Sequence, residues 1–144
     1  MHNYFLAKIR YEKTGEDGLI KKTTESYLVD ALSFTECESR IIQEMESFIT
    51  GEFQVSDIKR ANYSELFMSD EESADKWYDA RLAFITLDER SGKEKRSYNN
   101  ILVQAADLND ALKKLNENMK GTLCDYESVK IQETLIMDVY QYNK

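Results

Sequence analysis

An α+β fold made of two similar strand-strand-helix-strand units, mainly antiparallel with two helices, is the architecture the 144-residue sequence predicts. Three observations lead there: a segment repeated at an offset of 73 to 74 residues, a capped apolar helical stripe in each copy, and a fall in hydrophobic period from about 3.6 to 2 after each helix.

The repeat begins with Tyr4-Phe5-Leu6-Ala7-Lys8-Ile9-Arg10-Tyr11, which matches Trp77-Tyr78-Asp79-Ala80-Arg81-Leu82-Ala83-Phe84 in aromatic, alanine, cationic and aliphatic positions. Alternation places Phe5, Ala7, Ile9 and Tyr11 on the inner face of the first strand, with Tyr78, Ala80, Leu82 and Phe84 as their counterparts. A turn-rich stretch follows, holding Gly15 and Gly18 in one copy and Gly92 in the other. It ends in paired cations, Lys21-Lys22 and Lys95-Arg96. Second strands carry Leu28-Val29-Asp30-Ala31 and Leu102-Val103-Gln104-Ala105.

Ser33 and Glu36 form a Ser-x-x-Glu capping box, in which the carboxylate is expected to reach back to the cap amide. Phe34, Cys37, Ile41, Ile42, Met45, Phe48 and Ile49 then fall on one helical stripe that ends near Gly51. In the second copy Asp107 is the cap, Leu108, Ala111, Leu112, Leu115 and Met119 make the stripe, and Lys120-Gly121 closes a shorter helix. A third strand follows in each copy. Val129, Ile131, Leu135, Met137 and Val139 alternate with polar residues, although Glu133 and Ile136 fall on the wrong sides, and Ile58, Tyr63 and Phe67 align with Ile131, Ile136 and Tyr140. Residues 1–144 are thus expected to form one domain of two repeats, 3–67 and 76–142, joined by an acidic linker, 68–75.

Composition narrows the functional classes. The formal charge is −8, and it is uneven: residues 1–75 hold 8 Lys and Arg against 16 Asp and Glu, while residues 76–144 hold 11 of each. Such a field disfavours other polyanions, so nucleic acid is possible but opposed by net charge, and no segment suits a membrane. The amino terminus carries no secretory signal and two cysteines cannot make a disulfide scaffold, so a cytoplasmic setting is expected. No cofactor motif, metal-ligand spacing or phosphate loop is present, and the single histidine, His2, stands at the terminus, so enzymatic chemistry and a metal site are not expected. Cys37 belongs to the helical stripe and is expected to be a core residue; Cys124 lies in a turn.

The outer faces of the first strands hold the most suggestive chemistry. Tyr4, Lys8 and Arg10, with Trp77 and Arg81 in the second copy, set aromatic rings beside cations, and Lys22 and Arg96 extend the track. These seven residues are the candidate interaction surface. Rings with cations suit a protein partner or self-association, an assembly role that the abundance of aromatics favours. They also suit single-stranded nucleic acid, through stacking and phosphate pairing. An acidic mimic of nucleic acid is a third alternative, resting on the charge.

The repeated aromatic-aromatic-x-Ala-cation-aliphatic pattern, Tyr4 to Ile9 and Trp77 to Leu82, and the Leu-Val-x-Ala before each capped helix resemble a family of uncharacterised small proteins, a domain of unknown function, from Bacteroidetes and their phage-derived elements. The resemblance implies a bacterial or phage-related setting and carries over no activity and no functional residues.

Overall fold

The computed structural model describes residues 3–141. The elements in chain order are β1 (Tyr4–Thr14), β2 (Ile20–Asp30), α1 (Phe34–Glu46), β3 (Phe53–Ala61), β4 (Tyr63–Phe67), β5 (Lys76–Leu87), β6 (Glu94–Ala105), α2 (Leu108–Asn118), β7 (Asp125–Glu133) and β8 (Ile136–Tyr140). Two four-stranded sheets result, ordered β3-β1-β2-β8 and β4-β6-β5-β7. Reading the second from its other end gives β7-β5-β6-β4, the same arrangement with each strand replaced by its repeat equivalent. The α+β class and the two equivalent halves are therefore present in the fold.

The third strand of each copy departs from expectation. It is one run in sequence but two strands in space: β3 pairs antiparallel with β1, whereas β4 leaves after Asn62 alone and pairs parallel with β6 of the other repeat. The second copy does the same in reverse, β7 pairing with β5 and β8 crossing after Thr134-Leu135 to lie parallel to β2. Each repeat thus donates its last strand to the other's sheet. The chain accordingly divides into two compact units, residues 1–61 with 135–144, and residues 62–134.

This crossing explains the blurred alternation. The phase of exposure resets at the break, so Leu135 is 86% exposed and Met137 is exposed while Ile136 and Val139 are buried. A second irregularity lies within β7. Arg81 faces Lys130 and Leu82 faces Ser128, so Val129 is an extra residue without a partner, and it is half exposed. The same bulge sits 73 residues earlier: Lys8 faces Asp57, Ile9 faces Val55, and the extra residue is Ser56, whose hydroxyl donates to the Lys8 carbonyl at 3.3 Å.

Each helix covers the inner face of its own sheet. In unit 1, Phe5, Ala7, Ile9, Tyr27, Val29 and Ala31 pack with Cys37, Ile41 and Met45 of α1, and Tyr140 from β8 joins them. In unit 2, Tyr78, Ala80, Leu82, Ile101, Val103 and Ala105 pack with Ala111, Leu115 and Met119, and Phe67 from β4 joins. The inner faces of β1 and β5 are the expected ones. The helical stripes are narrower than expected, because Phe34 on α1, Phe48 just past its end, and Leu108 and Leu112 on α2 are exposed.

Both caps form, with one shift. The Ser33 hydroxyl accepts from the Glu36 amide and the Asp107 carboxylate accepts from the Asp110 amide. The return bonds, however, reach one residue further back than a capping box requires: Glu36 accepts from Leu32 N–H at 3.3 Å and Asp110 from Ala106 N–H at 2.9 Å. Hairpin turns place Gly18 and Gly92 at φ of 79° and 70°, values that a side chain would strain. In the 68–75 connection, Lys114 of α2 bonds the Ser69 hydroxyl at 3.0 Å and approaches Glu71 at 3.5 Å, and Ala74 is buried.

Candidate functional site

The outer face of the first sheet changes character along β1. Near the start of the strand it is covered: Tyr4 is 6% exposed and Leu28, in register with Leu6, is buried. Burial, with Asp30 opposite in the ladder, raises the Tyr4 phenol above its ordinary pKa. Lys8 is half-buried, and Arg10 is exposed. From Arg10 onward the β1–β2 hairpin runs past the helix-covered core as a charged arm, with Glu12 facing Lys22 across the ladder.

At the base of this arm the structure opens a cavity of about 570 Å³. Its wall comprises Arg10, Tyr11, Glu12 and Lys22 from the hairpin, with Glu52 and Phe53 from the entry into β3. Gly51, at φ 106°, turns the chain after α1 so that Phe53 enters the sheet opposite Tyr11. Tyr11 is fixed by donating its hydroxyl to Glu25 at 2.7 Å. Partial burial first, and that carboxylate second, push the Tyr11 phenol up to about 12, so it remains a neutral donor at any physiological pH. Arg10, Glu12 and Lys22 share the outer-face parity, so the wall offers two cations and two carboxylates beside Ile20, while the Tyr11 and Phe53 rings pack toward the unit 1 core.

On the second sheet the ring at the start of the strand is again covered. Trp77 is 3% exposed, and its carbonyl accepts both the amide and the hydroxyl of Thr134, at 2.9 and 2.8 Å. Further along, the Arg81 guanidinium lies over the Tyr98 ring at 4.6 Å, and Tyr98 is 47% exposed. Arg96 reaches across β5 to Glu127 at 3.1 Å, an exposed pair that solvent screens. Between these groups and the strand start lies a partly buried pair, Tyr63 hydrogen-bonded to Asp79. Desolvation raises both groups; for Asp79, Lys130, the bond from Tyr63 and Arg81 pull the other way.

The seven sequence-derived candidates thus separate. Arg10 and Lys22 meet in one cavity, Arg81 stacks on Tyr98, Arg96 is ion-paired, and Lys8 is half-buried. Tyr4 and Trp77 are buried, which corrects the expectation that both present their rings at a surface. Strand parity fixes the face on which a ring lies, but not whether that face is covered. Arg10 and Lys22 belong to unit 1, Arg81 and Arg96 to unit 2. Tyr11, Glu12, Glu52, Phe53 and Tyr98 were missed by sequence reasoning. Tyr98 shares a face with Arg96, two residues away, and that parity was the available signal.

Cys37 is buried and its thiol is pushed up to about 11 by desolvation, so it is a protonated core residue at neutral pH, while Cys124 is exposed. His2 lies outside the described residues. Among the described residues, no helix is long and apolar enough to cross a membrane, and no group of three or more His, Cys, Asp or Glu side chains is placed to hold a metal ion.

No curated protein and no solved structure matches the chain. A family does, and its extent follows the architecture: from the residue before β1 to the residues just past β8, both repeats and both exchanged strands fall within one match, residues 3–142, to the family described as Domain of unknown function (DUF4494), to which this chain belongs.

Proposed function

We propose that the protein is a non-enzymatic interaction module of a bacterial or phage-derived system, and that it takes a segment of a partner protein into the cavity beneath the β1–β2 arm. The observation that carries this reading is the gathering of Arg10 and Lys22 with Glu12 and Glu52 around about 570 Å³. A space of this size holds a few side chains and falls within the range of ordinary ligand pockets. Its charge is balanced, so it favours a mixed segment over a polyanion: a carboxylate for Arg10 and Lys22, a cation for Glu12 and Glu52, and an apolar side chain against the exposed Ile20 that also lines it.

Selection of a displayed peptide library on the intact chain tests this. Enriched peptides should carry both charge signs around an apolar residue and should lose at least tenfold in affinity for a double variant, Arg10→Ala with Lys22→Ala, whose thermal unfolding is unchanged. Equal affinity for the intact chain and the double variant would dismiss the cavity.

One contact favours a second reading. The Arg81–Tyr98 stack leaves a ring partly exposed beside a cation, as single-stranded nucleic acid requires. Fluorescence anisotropy of a short labelled oligonucleotide at low and moderate salt decides it. Salt-dependent binding that Tyr98→Ala removes supports the reading, and absence of binding at low salt ends it.

A further inference from the structure

We propose that the edges of β2 and β6 that β8 and β4 fill can accept the same strands from a second copy of this chain, and that two copies trade whole repeats by opening at residues 68–75. The inference does not rest on the cavity.

Each sheet is a joint product. β8 supplies unit 1 with four register pairs, Ser26 with Ile136 through Val29 with Tyr140, and places Tyr140 in its core. β4 supplies unit 2 with Tyr63 opposite Asn100 through Phe67 opposite Val103, and places Phe67 in its core. A repeat without its counterpart has an unpaired β2 or β6 edge and a core lacking one aromatic ring. Such an edge is a template for a strand of matching register.

The ladders and core contacts are the same whether the donated strand comes from the same chain or from another. What selects the same chain is the tether. A short flexible connection sets an effective concentration on the order of millimolar, against which a second copy competes only when concentrated or when the tether is cut short. The geometry of the tether is known from the sheet. β4 and β5 lie on either side of β6, so the chain must pass from Phe67 to Lys76 across two strand spacings, about 9.6 Å. The eight residues between them can reach roughly 27 Å, so closure is unstrained. Joining Phe67 directly to Lys76 allows only about 3.8 Å between their Cα atoms, which cannot flank β6. The donated strands of that shortened chain fit only in a second copy.

The test uses the full chain in two forms, wild type and a variant lacking residues 68–75, each measured by size exclusion with light scattering. Wild type is unfolded in denaturant and refolded well below, and then near, millimolar concentration. Exchange predicts a monomer after dilute refolding and a dimer after concentrated refolding. Once formed, that dimer persists for days after dilution, because reversal requires each sheet to release a strand. The shortened variant is expected to raise the dimer fraction at least tenfold at equal concentration. If it does not fold, the wild-type comparison decides alone. Wild type that stays monomeric at every refolding concentration, or a dimer that dissociates within minutes of dilution as ordinary association does, would overturn the proposal.

Discussion

Tyr140 lies in the second repeat by sequence but in the core of the first by structure, so replacing it distinguishes the exchanged topology from a folded-back one. Its half-buried ring packs into the β1–β2–α1 core and stacks on Tyr27, with centroids 5.8 Å apart and planes inclined by 23°. Truncating a fully buried aromatic residue to alanine costs about 3–5 kcal/mol, and half burial scales this to about 2. The lost ring pair adds about 1 kcal/mol. Its hydroxyl is held neutral, pushed up to about 12 chiefly by burial, so no charge complicates the assay at neutral pH. Tyr140→Ala should therefore lower stability by about 2–3 kcal/mol, and amide hydrogen exchange should localise the loss. Protection should fall across β1, β2 and α1, which are more than 90 residues away in sequence, while β5, β6 and α2 stay within about 0.5 kcal/mol of wild type. If exchange quickens instead in β7 and α2 and leaves β1 and β2 protected, β8 does not pair with β2 and the reasoning fails.

Other outcomes follow from the same contacts. Ser33→Ala and Asp107→Ala each remove an N-cap acceptor and should cost about 1 kcal/mol in urea unfolding, and a loss below a few tenths for both would show the caps to be idle. With a thiol reagent at neutral pH, Cys124 should react quickly and Cys37 only after denaturation, giving one fast equivalent of two; two fast equivalents would place Cys37 outside the core. Asp110 is held below the usual carboxylate range first by the Ala106 amide and then by Lys114, so its contribution is present above the unfolded pKa and is lost as pH falls through the folded value. Acid titration of Asp110→Asn should accordingly show a smaller stability loss below pH 4 than wild type shows, and parallel curves would count against the assignment. Finally, Tyr4 and Tyr140 bracket the end of β2 as Lys76 and Phe67 bracket the end of β6. A circular permutant opened between Asp70 and Ser73, with the original ends joined by a copy of the 68–75 connection, should keep cooperative unfolding and a near-native circular dichroism spectrum; a molten spectrum would refute the equivalence.

Much of this fold is written in local pattern. The offset of 73 residues, the caps at Ser33 and Asp107, and the inner faces Phe5-Ala7-Ile9 and Tyr78-Ala80-Leu82 are consequences of period and hydrogen-bonding chemistry that a few neighbouring residues suffice to specify. The crossing was visible only as noise. Ile136 out of phase, and Val129 counted as inward when it is a half-exposed bulge, were the marks of two resets in register, and nothing local distinguishes a reset from an imperfect strand. The candidate surface was less legible for a related reason. Alternation assigned Tyr4 and Trp77 to the right face, but coverage of that face is a long-range property. The cavity beneath the arm depends on Gly51 bringing Glu52 and Phe53 beside Arg10 and Tyr11, a juxtaposition of residues some 40 positions apart in the chain.

The paired bulges at Ser56 and Val129 bear on what strand trading could otherwise do. An uninterrupted outer ribbon of amides and carbonyls would let each captured strand present a fresh ribbon to the next molecule, and growth would continue into fibres. Here one margin of each sheet is kinked by its surplus residue, and the other is a strand of only five residues. Strand trading of the proposed kind would therefore stop at a closed pair, because neither margin offers the long flat template that a growing polymer needs.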